Sequence, residues 1–188
     1  MPLSPAQKRT EVHTRQLQLH VYKREDGLFD IEGHIVDVKP ISVEFHNTSR
    51  AAGEPVHDLR LRLTINKQLE VQGAEAKMDV GAYAYCAGVE PSFERLKGLV
   101  IGPGWNRRVR ERVGGGNGCT HLVEMLQQMA TTALQAVWTE EGEDLENAAD
   151  PADRTLRHNI LNSCYTYRAD SQFVKVHFPR HYGPSEGK

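Results

Sequence analysis

Cys119 and His121 stand two residues apart, after the glycine-rich stretch Gly114-Gly115-Gly116-Asn117-Gly118 and at the opening of the longest helical pattern in the chain. A thiol and an imidazole in this spacing support three readings. In the first, both ligate an ion, since sulfur and imidazole suit zinc or iron. In the second, Cys119 is a nucleophile and a nearby imidazole its base. In the third, Cys119 is a small buried residue and His121 an ordinary helix-start residue. Unpaired N–H groups at a helix start favour negative charge, which would assist a thiolate at Cys119.

The spacing alone does not decide, so further partners matter. His57 opens the apolar face of a strand pattern, and a buried imidazole needs a partner, either the backbone or a ligand. Asp79 and Cys86 complete a dispersed candidate set of His57, Asp79, Cys86, Cys119 and His121. Arg107, Arg108 and Arg110, with Arg112, form either a solvated helical face or a grip for an anionic substrate, because guanidinium suits carboxylate and phosphate. Other chemistries are excluded. The glycine stretch lacks the Lys-Ser/Thr of a phosphate loop, and an arginine-rich turn replaces the strand that a dinucleotide fingerprint requires. There is no Cys-x-x-Cys and no Gly-x-Ser-x-Gly.

The elements that must carry these groups follow from periodicity. Leu122, Met125, Leu126, Met129, Ala133, Ala136 and Val137 recur at helical spacing, predicting a helix over Cys119–Trp138. Leu17, Leu19 and Val21 alternate as in a half-buried strand, and Asp26-Gly27 predicts a hairpin into a second strand from Leu28. Phe29, Ile31 and Ile35 share one face; the apolar parity then shifts to Val36 and Val38, which predicts a bulge near Gly33. His57, Leu59, Leu61, Leu63 and Ile65 give the clearest strand. Leu69–Val71 and Met78–Val80 are short extended pieces, Pro91–Leu96 a short helix, and Asn106–Arg112 a helical turn. Glu140 to Glu146 form an acidic loop, 156–164 a helix and Phe173–Phe178 a last strand. The expected fold is α+β: one domain over 13–180, an antiparallel sheet packed by one long central helix, with flexible ends at 1–12 and 181–188.

The chain has 188 residues and net charge −2, so it is long enough for a real core and carries no overall field that would draw nucleic acid or membrane. No window approaches a transmembrane span, and the first residues lack the apolar run of a signal peptide. Three cysteines make no disulfide framework and predict free thiols or ligands in a cytoplasmic protein.

Several motifs together carry a resemblance. They are His13-x-Arg15, Arg24-x-Asp26-Gly27-Leu28-x-Asp30-Ile31-Glu32-Gly33, Asp37-x-Lys39 and Pro55-x-His57-Asp58-x-x-x-Arg62-Leu63, then Tyr85-Cys86, Leu96-x-Gly98, Gly102-x-Gly104-Trp105 and Gly118-Cys119-Thr120-His121-Leu122. In this order, over about residues 10–140, they resemble a bacterial family known as domain of unknown function 2889. The resemblance brings no activity, but it implies that His57, Cys86, Cys119 and His121 belong to one recurring pattern. The Gly-Cys helix start also looks faintly like iron–sulfur scaffolds of the NifU type, whose full cysteine set is missing here.

The expectation is therefore a mononuclear zinc or iron centre of His57, Cys86, Cys119 and His121, with Asp79 as alternate ligand or base and His57 as a further catalytic candidate. Arg107, Arg108 or Arg110 would hold a small organic carboxylate, an aromatic one among the candidates, for lyase or hydrolase chemistry. The alternatives are metal-free cysteine–histidine catalysis and a non-catalytic metal-binding or scaffold protein. A small-molecule substrate is the expected partner, and a homodimer stays open.

Overall fold

The computed structural model describes residues 3–46, 48–141 and 160–184. Its chain folds into two compact units, 1–134 and 135–188.

The first unit is built on a four-stranded antiparallel sheet in the order β1-β2-β5-β6. The strands are β1 (Thr14–Lys23), β2 (Phe29–Val38), β5 (Pro55–Ile65) and β6 (Val71–Val80); a small hairpin of β3 (Val43–Phe45) and β4 (Thr48–Arg50) lies between β2 and β5 in sequence. The Asp26-Gly27 hairpin is present, with Gly27 at φ 82° and Arg24 N–H bonded to the Leu28 carbonyl at 2.8 Å. The two extended pieces expected around residues 69–80 are one strand, β6. A 3-10 helix over Cys86–Leu96 follows, then α1 (Trp105–Val113) and α2 (Thr120–Glu141). The α+β class and antiparallel sheet are as the periodicity indicated.

One face of the sheet is apolar. Phe29, Ile31 and Ile35 of β2 and Leu59, Leu61, Leu63 and Ile65 of β5 are buried, as are Leu122, Met125, Leu126 and Met129 of α2. Met125 of α2 packs directly on Gly33: a Cβ built there would lie 2.5 Å from Met125 Sδ. Glycine at this point removes the atom that would hold the helix away. The opposite face carries polar cross-strand pairs, among them the ion pair of Arg62 with Glu32 at 2.8 Å and the hydrogen bond from Thr64 to Asp30 at 2.6 Å.

The expected bulge near Gly33 is not there. Gly33 pairs in unbroken register with both Leu19 and Leu61, and the irregularity falls at Asp37/Val38. The apolar parity never shifts, because burial continues from Phe29 through Ile31, Gly33 and Ile35 to Asp37. A carboxylate occupies the core-facing position.

In the second unit Ile160, Val174 and Phe178 form a small core with Trp138, Leu161, Tyr167 and Phe173 packed against it. The strand expected over Phe173–Phe178 is instead α3 (Gln172–His177). Ser171 caps it by accepting from Val174 N–H at 3.1 Å, and Val174 and Phe178 lie four residues apart on one helical face. The helix expected over 156–164 falls partly outside the described residues; from Ile160 to Cys164 the chain turns instead, with Ser163 N–H bonded to the Ile160 carbonyl. The acidic loop lies outside the described residues beyond Glu141. Among the described residues no helix is long and apolar enough to cross a membrane.

Candidate functional site

Three neighbouring strands place three polar side chains in a row on the helix-facing side of the sheet. Arg15 of β1 pairs with Asp37 of β2, and Asp37 pairs with His57 of β5. Arg15 shares parity with Leu17, Leu19 and Val21, and His57 shares it with Leu59 and Leu61, so all three point toward α2. The first turn of α2 supplies His121 and, one turn later, Glu124.

Asp37 is the centre of the cluster. Its side chain is 1% exposed, and it is the one buried charged residue among those described. Arg15 grips it with a two-pronged contact, Nε to Oδ1 and Nη2 to Oδ2, both 2.7 Å. His57 Nδ1 lies 2.9 Å from Oδ2, and His13 Nε2 lies 3.5 Å from Oδ1. Burial pushes the Asp37 carboxyl up, but the Arg15 hydrogen bonds and charge, with those of His57, outweigh it and hold the group at about 2. An ionised carboxylate only accepts, so the proton in the contact belongs to His57 Nδ1.

His57 is 18% exposed and its ring lies against that of His121, centroids 4.2 Å apart and tilted by 44°. Burial pushes His121 below the ordinary histidine value, helped by His57 and Arg15 and opposed by Asp37 and Glu124. That shift favours the neutral imidazole of His121, in which one ring nitrogen carries a lone pair. Ligand atoms of Asp37, His57 and His121 all lie within 4.8 Å of one another, a group that can hold a metal ion.

The dispersed candidates divide. His57 and His121 come together. Cys119 Sγ lies 3.7 Å from His121 Nδ1 and stands outside the three-residue group. Cys86 opens the 3-10 helix that follows β6, where a Cβ on Gly81 would lie 2.8 Å from its own Cβ, and it too is outside that group. Asp79 is on the charged face of the sheet, paired with Arg60 at 3.1 Å, because its parity in β6 is opposite to that of the buried Met78. Arg107 pairs with Glu111 at 3.4 Å, and Arg108 donates to the carbonyls of Pro103 and Val100 at 2.8 Å. Arg110 lines a cavity of about 250 Å³ with Thr120, Val123 and Glu124.

Asp37 and Arg15 are the site residues that the candidate set lacked. Extending the parity of Phe29, Ile31, Gly33 and Ile35 by one step reaches Asp37, and a polar residue on an apolar face is the signal that marks it.

A family model described as "Protein of unknown function (DUF2889)" matches residues 13–135, a span that contains the whole cluster. No curated protein and no solved structure gives a significant match.

Proposed function

Because the chain belongs to the DUF2889 family, whose description names no activity, we propose from its site that it is a metal-dependent enzyme centred on Asp37, His57 and His121. Two imidazoles and one carboxylate on one side of an ion form a ligand set for ferrous iron, and zinc accepts the same donors. The observation that carries the reading is the 2.9 Å contact between His57 Nδ1 and Asp37 Oδ2. Bonds of about 2.1 Å at right angles give a ligand–ligand edge of roughly 3 Å, so an ion can replace the shared proton with little movement.

Protonation favours the same reading. Asp37 is ionised, and burial favours the neutral form of His121. Each oxygen of a carboxylate has two lone-pair sites, so the Arg15 grip leaves Asp37 room for an ion. Three protein ligands leave positions open for water and substrate, where the ion would act as Lewis acid or lower the pKa of bound water. The substrate class we propose is a small organic carboxylate, processed by lyase or hydrolase chemistry.

Elemental analysis of protein purified without added metal tests this. About one iron or zinc per chain is expected, and it is lost in His57→Ala and His121→Ala. Metal-free protein that also fails to bind added Fe²⁺, Co²⁺ or Zn²⁺ would end the proposal. The contact of Cys119 Sγ with His121 Nδ1 favours a second reading, thiol chemistry with His121 as base, which predicts rapid alkylation of Cys119 at neutral pH in the metal-free protein.

A further inference from the structure

Arg15 has one edge not committed to Asp37. Its Nε and Nη2 are held by the buried carboxylate, while Nη1 faces Glu124 Oε2 at 3.5 Å. That last contact is loose, and its partners are accessible: the Arg15 side chain is 36% exposed and that of Glu124 60%. A guanidinium anchored on one side and open on the other is preorganised to receive a second carboxylate. Glu124 occupies the position that such a group would take.

Glu124 also lines the cavity of about 250 Å³ beside Val109, Arg110, Thr120 and Val123. The Arg110 guanidinium makes no hydrogen bond or ion pair to another described residue. Displacing Glu124 from Arg15 therefore joins an anion-binding group to a small open cleft that offers Val109, Val123 and a second cation. The volume lies below the roughly 300 Å³ at which pockets for drug-sized ligands begin, so the occupant is small.

We infer that Arg15 is the carboxylate-recognition group of this site, that Glu124 fills its place in the free protein, and that the body of a small monocarboxylate lies in the cavity behind Glu124. This rests on the reading of Asp37, His57 and His121 as the reacting centre, and it names the substrate's anchoring group. Arg15, Nη1 outward, sets the anionic end of the ligand next to Asp37; Arg107 and Arg108 do not line this cavity, whereas Arg110 does.

The test is calorimetric titration of the full chain with benzoate and with benzamide, its neutral counterpart. Benzoate binds, and benzamide binds roughly tenfold more weakly or not at all, since hydrogen bonds to charged groups are the stronger ones. Glu124→Gln removes the competing carboxylate and tightens benzoate by up to about fivefold, the ceiling for an exposed ion pair. Arg110→Gln, an exposed substitution that leaves the core intact, weakens benzoate. Equal binding of the two ligands, no binding of either, or weaker benzoate binding in Glu124→Gln overturns the inference. Metal content measured on the same preparations separates the two ideas. Metal without benzoate selectivity sinks only the carboxylate site, and selective benzoate binding without metal sinks only the metal centre.

Discussion

His57 faces Asp37 across the β2–β5 pair, with its Nδ1 2.9 Å from a carboxylate that is almost wholly buried. The two residues form a cross-strand pair on the apolar face of the sheet, two residues along from the Ile35–Leu59 pair. Such a position is costly for a charge unless every partner is present. Here Arg15 and His57 supply them, and no buried side-chain polar atom among the described residues is left without a hydrogen bond.

Removing the carboxylate therefore acts on both stability and site. Asp37→Ala leaves Arg15 and His57 facing a void and is expected to lower unfolding free energy by about 3 kcal/mol, the low end for breaking a buried pair because Arg15 is partly exposed. Urea denaturation measures this. Asp37→Asn keeps the volume but not the charge, and metal affinity in that variant falls at least roughly tenfold. Unchanged metal binding in Asp37→Asn would remove Asp37 from the ligand set.

Acid stability carries the same signature. The Asp37 carboxyl is lowered from 3.8 to about 2 in the folded protein. A depressed carboxylate contributes stability that is fully present above the unfolded value and is lost as pH falls through the folded one. Its contribution, about 2 kcal/mol, is therefore present above pH 3.8 and disappears toward pH 2. Denaturation midpoints followed across this window should flatten in Asp37→Asn; an identical slope in both proteins contradicts the assignment.

Gly33 tests how the site is held together. Gly33→Ala places a methyl group 2.5 Å from Met125 Sδ and 3.1 Å from its Cγ, so Met125 or the helix must move. Overpacking of this kind costs roughly 1–3 kcal/mol. Because His121 precedes Met125 by one turn on α2, a shifted helix also displaces that imidazole from His57. The expected outcome is loss of metal affinity beyond the loss of stability, with Met125→Ala in the same chain partly restoring the metal site. Full metal affinity in Gly33→Ala would show that the helix is free to adapt.

The parts of the fold that were legible in the sequence are those where periodicity and turn chemistry agree. The β1–β2 hairpin follows from Asp26-Gly27, the strand through Leu59–Ile65 from strict alternation, and α2 from its apolar spacing. The pairing of His57 with His121 was within reach because each lay at the start of a strongly patterned element. Asp37 escapes a reading by periodicity, since a carboxylate on the core face mimics the change of parity that a bulge at Gly33 would produce. Nor does single-strand spacing reveal that Asp79 falls at an irregularity of the β5–β6 pairing, on the charged face, where Arg60 binds it. The strand expected at Phe173–Phe178 misread aromatic residues that stack at helical spacing, Phe173 on His177 with centroids 4.7 Å apart.

His121 offers a site-specific titration. Burial lowers its value from 6.5, with His57 and Arg15 adding to the shift. In metal-free protein its ring-proton NMR signals should titrate below 6.5. Because the folded value lies below the unfolded one, protons bind the unfolded chain first, so this residue lowers stability as pH falls below 6.5. His57→Ala removes a neighbouring imidazole and opens the site to water, and both changes move the His121 value upward. A bound ion does the opposite: proton and metal compete for one lone pair, so His121 stops titrating in this range when metal is present. An NMR titration of His121 that is the same with and without one equivalent of Zn²⁺ would mean that the ion binds elsewhere.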